Sequence, residues 1–505
     1  MKRTKLFAFV LITLLYRAEV SSQIHTQLSD AVYRPQIHFT PKEKWMNDPN
    51  GLVYHKGTYH LFYQYHPYSS VWGPMHWGHA TSSDLIHWSH QPVALYPDSI
   101  GTIFSGSAVV DVNNTAGFGK NTLVVIFTQH NADGERAGKS DFQNQSIAYS
   151  VDNGKTWTKY AANPVLKNPG TKDFRDPKVM WYEPMKRWIM SLAVADRIYF
   201  YSSPNLKNWT KESEFGASAG AHGGVWECPD LFPLEYEGKT VWVLIVNLNP
   251  GGPNRGSATQ YFLGDFDGKN FKPYNSGIKW LDYGPDEYAG ITWENTGQRK
   301  VFIGWMSNWL YANVVPTETW RNAMTLPREL KLAKAGSEMY IASMPVKEIE
   351  TIKLVSVSLS DISLATDFRL EEKTGKVMFP CLLNLSMDII KDFSITLENE
   401  SGGQLLIGYD KTANRYFIDR SKSGKTDFHP EFSARHTAPR FSTEAKMNLT
   451  LLIDVSSVEL FADNGLTVMT EIFFPDKPYS RLGIQSNDNG VIKKLEYTEL
   501  KSIWE

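Results

Sequence analysis

Along most of the chain apolar and polar residues alternate with a period of two. Runs such as "TLVVIFTQH", "RIYFYSS", "VWVLIVN" and "KVFIGWM" are separated by clusters of Gly, Asn, Asp and Pro. That pattern predicts β-strands, and helical periodicity is nearly absent. A weak repeat accompanies it: "SSDLIHW" ends at Trp88, "SVDNGKTW" at Trp157, "SSPNLKNW" at Trp209 and "GDFDGKNF" at Phe271, spaced by 69, 52 and 62 residues. Each copy joins a β-type run to a polar turn and a closing aromatic. Units of that length have room for about four short strands each, which is what propeller blades require.

The character changes near residue 335. Tryptophan, frequent until Trp320, does not return until Trp504, while alternating segments such as "DFSITLENE", "QLLIGYD" and "VMTEIFFP" continue to the end. The expectation is a propeller over residues 35–335 followed by a β-sandwich over 350–505. Two domains also suit a chain of 505 residues, longer than one hydrophobic core usually serves.

Ahead of these lies a third kind of segment. Lys2 and Arg3 precede an apolar run from Leu6 to Leu15, and Val20, Ser21 and Ser22 follow. Charge, short apolar run and small residues read as a secretory signal over residues 1–22. The run is too short to span a bilayer, which takes about 20 apolar residues. The mature chain is therefore expected outside the cytoplasm, periplasmic or extracellular, with no integral membrane segment. Only Cys228 and Cys381 are present, too few for a disulfide framework.

Charge narrows the partner. Lys plus Arg number 52 against 54 Asp plus Glu, a net charge of −2, with no long run of either sign. Nucleic acid and anionic membranes are poor candidates. The surplus lies in 16 Trp, 24 Tyr and 26 Phe; such rings fill β-cores and also offer the flat faces on which sugars stack.

Three short motifs carry candidate chemistry: "WMNDPNG" with Asp48, "FRDPK" with Arg175 and Asp176, and "WECPD" with Glu227 and Cys228. In the first, Pro49 fixes φ, Gly51 permits positive φ, and Asn47 and Asp48 can bond nearby backbone, so a turn is expected. Trp45 and Met46 in front of it suggest a turn at a pocket floor. Each motif sets an acid one or two residues before a proline, in a different repeat. In a propeller, loops from successive blades converge at one end of the central channel, so acids far apart in sequence can meet there. Clustered carboxylates cannot all ionise, so one keeps a proton near neutral pH. Glycoside hydrolysis needs that combination of a proton-donating acid and an attacking carboxylate. Arg175 is expected to hold Asp176 ionised. Glu227, beside Trp226 and Pro229 with no adjacent cation, is expected to be the proton donor. These residues alone leave the sugar open.

"WMNDPNG", "FSGS" at residues 104–107, "RDP" at 175–177 and "WECPD" at 226–230, in that order, resemble glycoside hydrolase family 32, which includes invertases, inulinases, levanases and fructan exohydrolases. The resemblance extends through "YHLFYQYHP", "HWGHATSSDLIHW", "LPRELKL" and "VELFADNGLTVMTEIFFP". It implies an all-β fold, a five-bladed β-propeller followed by a β-sandwich. By position, Asp48 resembles the nucleophile that forms a covalent fructosyl-enzyme, Glu227 the acid/base, and Asp176 the stabiliser of the oxocarbenium-like transition state. Configuration should be retained, with the Asp48 and Glu227 carboxyl groups roughly 5 to 5.5 Å apart. The same resemblance assigns Trp45, Asn47, Gln64, Trp72, Phe104, Ser105, Arg175 and Trp309 to the fructose-binding pocket, with Trp305 and Trp320 as competitors for the last place. Cys228 is read as a neighbour that tunes the acids.

The implied substrate is a fructan of levan or inulin type, or sucrose. A fructosyltransferase using the same acids, or a non-catalytic fructan-binding protein, are the alternatives. No cofactor is expected. His76, His79, His87 and His90 lie close in sequence, but the family they sit in needs no metal, and none is assigned. The protein is expected to be a monomer or homodimer.

Overall fold

The computed structural model describes residues 32–504; the expected signal segment lies outside them. Residues 44 to 345 form five antiparallel sheets. The first is Lys44–His55, Thr58–His66, His76–Ser82 and Ser89–Leu95; the second runs from Thr102–Asp111 to Thr158–Lys159, the third from Phe174–Tyr182 to Thr210–Phe215. The fourth runs from Val225–Tyr236 to Phe271–Pro273, and the fifth from Tyr288–Thr292 to Glu338–Pro345. The leading strands of the five sheets pack on one another around a central axis, so each sheet is a propeller blade. The ring is closed where Trp320–Arg321 pairs in parallel with Lys44 and Trp45.

The sequence repeat is the outer hairpin of the first four blades. In each hairpin one side-chain oxygen accepts two successive backbone N–H groups. Asp84 takes Ile86 and His87, Asp152 takes Lys155 and Thr156, Asn205 takes Lys207 and Asn208, and Asp267 takes Lys269 and Asn270. The turn chemistry of Asp and Asn thus explains why the motif recurs. The fifth blade shows no copy because its outer hairpin turns over only Gly336 and Ser337.

Residues 353 to 500 form two six-stranded antiparallel sheets, in the orders Lys353–Ser363, Val491–Leu500, Cys381–Met387, Met447–Ile453, Ser457–Ala462, Thr467–Ile472 and Phe368–Arg369, Arg481–Gln485, Phe393–Glu398, Gln404–Asp410, Arg415–Lys422, Arg435–Pro439. Alternate residues such as Ile395, Ile407, Ile418 and Leu383, Leu451, Leu460 meet between them in one core, the layering expected of a sandwich. Both cysteines are buried and free.

The propeller and sandwich are joined by buried charge as well as by apolar contact. Arg328 of the fifth blade, fully buried, donates to Glu459 of the sandwich (Nε to Oε2, 2.8 Å) and to Asp282 (Nη1 to Oδ2, 2.9 Å). Arg420 reaches the other way, to Asp286 and to the Tyr311 hydroxyl at 2.8 Å. His38 sits between Asp454 and Glu459, 2.8 Å from each. Burial works against its charge, but the two carboxylates outweigh burial and raise its pKa to about 9.

Candidate active site

All five leading strands carry the same irregularity. Near its start, each strand sets two residues opposite one on its neighbour: Asn47 and Asp48 opposite Gln64, Phe104 and Ser105 opposite Thr128, Asp176 and Pro177 opposite Leu192. Cys228 and Pro229 face Val246, and Ala289 and Gly290 face Gly304, in the same way. These are β-bulges, which bend a strand and re-aim its side chains. The motifs expected as turns are therefore strand segments: residues 45–51 all lie within Lys44–His55. Proline is tolerated there because a bulge leaves an N–H out of the ladder, which accounts for the acid-before-proline spacing. Asp176 (φ 63°), Cys228 (φ 43°) and Ala289 (φ 54°) take left-handed backbone at the first bulge position, a conformation that costs non-glycine residues roughly 1–3 kcal/mol and tends to mark functional sites. Gly51 has φ 53°, and a Cβ there would come within 2.8 Å of both Phe62 and Trp77.

The bulges deliver their side chains to one pocket of about 260 Å³, lined by Asn47, Asp48, Gln64, Trp72, Phe104, Ser105, Arg175, Asp176, Glu227 and Trp309. Ser105 Oγ donates to Asp48 Oδ2 at 2.7 Å, and Asn47 Nδ2 donates to Asp48 Oδ1 at 2.9 Å. The Cys228 thiol lies 3.6 Å from Asp48 Oδ2, and the Cys228 backbone N–H donates to Asp176 Oδ2 at 3.1 Å. The Asp176 backbone N–H, freed by the bulge, donates to Thr128 Oγ1 at 3.0 Å. Two residues beyond Asp176 on the same strand, buried Lys178 donates to the Thr292 carbonyl at 2.6 Å and lies 3.3 Å from Glu294 and 3.5 Å from Asp230.

Two expectations need correction. Trp45 does not line the pocket: it is wholly buried, its indole N–H donates to Asn47 Oδ1 at 2.7 Å, and its ring stacks on Trp309 at 5.9 Å. It stands behind the pocket wall, against Asn47 and Trp309. Arg175 does not chiefly serve Asp176. Its guanidinium donates to Glu227 Oε1 (Nη2 2.9 Å, Nε 3.2 Å) and to Asp173 Oδ1 at 2.6 Å, while Asp176 Oδ2 is 3.9 Å from Nε. Glu227 therefore has a cation beside it, supplied by the neighbouring blade.

Electrostatics follow from this crowding. Burial, opposed by Arg175 and reinforced by the charges of Glu227 and Asp48, pushes Asp176 up to about 7. Asp48 is raised by burial and by Glu227, against its hydrogen bonds from Ser105 and Asn47. Burial and the three acids push the Cys228 thiol well up, so it is no nucleophile.

Trp309 is the pocket tryptophan, since Trp305 and Trp320 are buried. Gln64 has its Nε2 buried without a partner, a donor left for something in the pocket. The four clustered histidines go to separate neighbours: His79 to His60, His87 to Asp84, His76 to the Pro74 carbonyl, and His90 onto Trp504. Sequence reasoning missed Tyr288, whose hydroxyl donates to Glu227 Oε2. It also missed His130, Glu135, Gln143 and Asp173, which complete the pocket wall. Asp173, two residues before Arg175, was the most findable of these; Tyr288 stands in "DEYAG", which carries no motif.

The comparisons with known proteins agree with this architecture. The profile described as "Glycosyl hydrolases family 32 N-terminal domain" matches residues 38–343, and "Glycosyl hydrolases family 32 C terminal" matches residues 346–501. A levanase of Bacillus subtilis is 47% identical over 521 residues, covering 100% of this chain and 76% of that protein. An extracellular exo-inulinase of Aspergillus niger is 41% identical over 496 residues, covering 90% of this chain and 92% of its own. The crystal structure of an exo-inulinase from Aspergillus awamori superposes with a TM-score of 0.85 at 37% identity, covering 94% of this chain and 99% of that one. With both domains matched and the acids gathered on the propeller axis, the chain belongs to glycosyl hydrolases family 32.

Proposed function

We propose that the protein is a retaining β-fructofuranosidase that hydrolyses fructans of levan or inulin type, and sucrose, through a covalent fructosyl-enzyme. The observation that carries this reading is the convergence of Asp48, Asp176 and Glu227 on one pocket. Asp48, oriented by Ser105 and Asn47, attacks the anomeric carbon. Glu227 protonates the departing oxygen and then takes a proton from water. Asp176 accepts from ring hydroxyls, most strongly as positive charge grows on the ring. Gln64 and Asn47 supply further polar contacts, and Trp72, Phe104 and Trp309 the apolar faces.

A volume of about 260 Å³, below the roughly 300–1,000 Å³ usual for small-molecule pockets, favours one terminal unit at a time. Export outside the cytoplasm accords with a polymeric substrate and with the extracellular Aspergillus niger relative.

The test is to incubate the protein separately with levan, inulin and sucrose and follow the products over time by chromatography. Fructose as the sole early product supports terminal hydrolysis, short oligosaccharides indicate internal cleavage, and products longer than the substrate indicate transfer. Binding without release from any of the three defeats the hydrolase reading.

A further inference from the structure

We propose that an exposed aromatic shelf on the first blade binds the part of a fructan chain that extends beyond the pocket, an inference that rests on the fructan reading above. The shelf begins at Trp72, which lines the pocket yet is 44% exposed and meets Phe104 edge-on at 6.2 Å. It continues over Tyr68, 72% exposed, and Tyr96, 54% exposed. Buried His76 lies between these two rings, 5.6 Å from Tyr68 and 5.5 Å from Tyr96, edge-on to both.

Three observations point to a ligand. First, the exposure is concentrated: of the 16 exposed large hydrophobics among the described residues, six lie at this end of the first and fifth blades, namely Tyr68, Val71, Trp72, Tyr96, Leu310 and Val314. Tyr68 and Tyr96 share His76, and the Trp72 backbone is tied to Asn313, between Leu310 and Val314; exposed apolar groups gathered in this way mark an interaction site. Second, the backbone beneath is pinned. The Val71 carbonyl is bonded to His66 Nδ1 at 2.8 Å, the Trp72 N–H to Asn313 Oδ1 at 2.9 Å, the Pro74 carbonyl to His76 Nδ1 at 3.0 Å, and the Tyr96 carbonyl to Lys159 Nζ at 2.5 Å. Rings held in this way bind at low entropic cost. Third, Lys159 at the outer end is paired with Asp98, so the surface presents rings and hydroxyls with little net charge. A neutral polyol with alternating C–H faces and hydroxyls fits such a surface; a polyanion does not. Trp72 selects the occupant, because it lines the pocket and stands four residues from Tyr68 in the segment between Thr58–His66 and His76–Ser82.

A disaccharide places one ring in the pocket and one at its mouth, so the two tyrosines are met only by a longer chain. The experiment compares wild type with the Tyr68→Ala/Tyr96→Ala double variant on sucrose and on long-chain levan and inulin. The double variant should show KM for its polymer substrate raised about five- to tenfold, the loss of two stacking faces, with kcat and both sucrose constants unchanged. Tyr68→Phe/Tyr96→Phe should restore most of the polymer affinity. An unchanged polymer KM, or an equal loss on polymer and sucrose, overturns the shelf, as does a wild-type enzyme that cleaves sucrose but no polymer. A wild type inactive on all three substrates instead defeats the functional reading on which the shelf depends.

Discussion

The guanidinium of Arg175 rests on Glu227, 2.9 Å from Nη2 and 3.2 Å from Nε to Oε1, and stands farther, at 3.9 Å, from its sequence neighbour Asp176. One planar fork therefore links the carboxylates of two adjacent blades. A lysine has no such fork. Arg175→Lys should lower kcat/KM on sucrose by about 10²–10³-fold, the usual loss for a donor preorganised around a transition state. Arg175→Gln should in addition move the acid limb of the pH profile upward, because the cation opposes the rise in the Asp176 pKa. Rates measured from pH 4 to 8 check both, and an acid limb that stays in place would mean that Arg175 acts only through geometry.

Asp176 sets function against stability. Its folded pKa is pushed from 3.8 to about 7, so the folded state holds this proton more tightly than the unfolded chain does. Stability from this group is present at low pH and is lost as pH rises through that window. Asp176→Asn should abolish turnover and raise the denaturation midpoint above neutral pH, by about 1–2 kcal/mol, with the gain absent near pH 4. Denaturant titrations of both proteins at pH 4 and pH 8 provide the comparison.

His38 runs in the same sense, over a higher pH window. With its pKa raised from 6.5 to about 9 by Asp454 and Glu459 against burial, its contribution is complete below pH 6.5 and lost as pH climbs to about 9. His38→Gln should cost about 3 kcal/mol at pH 6, in line with 1.36 kcal/mol per pKa unit, and the deficit should narrow by pH 9.5. Equal deficits at the two pH values would assign the loss to packing alone.

What the sequence disclosed and what it hid divide along physical lines. The outer hairpins were legible because one Asp or Asn bonding its own backbone is a local event. The three acid-bearing motifs stood out because each carries a proline beside its bulge, and proline inside a strand is visible in the chain. The partner of Arg175 was not, since Asp176 is adjacent in sequence whereas Glu227 is 52 residues away and meets it only once two blades pack. Trp45 was misplaced for a related reason: which face of an alternating strand looks into the channel depends on where the register slips, and no residue announces that. Tyr288 enters from the fifth blade, where the bulge is made by Ala289 and Gly290 without any proline.

The five bulges also divide the labour of the molecule. Since Asp48, Asp176 and Glu227 stand on the leading strands and not on the loops that join them, the spacing between the Asp48 and Glu227 carboxyl groups is a dimension of the ring itself, fixed by how five sheets wedge together. The loops above can lengthen, shorten or change their aromatic residues without disturbing that dimension. The acid spacing is thus held by the architecture, while the surface around the pocket mouth is built by segments outside it.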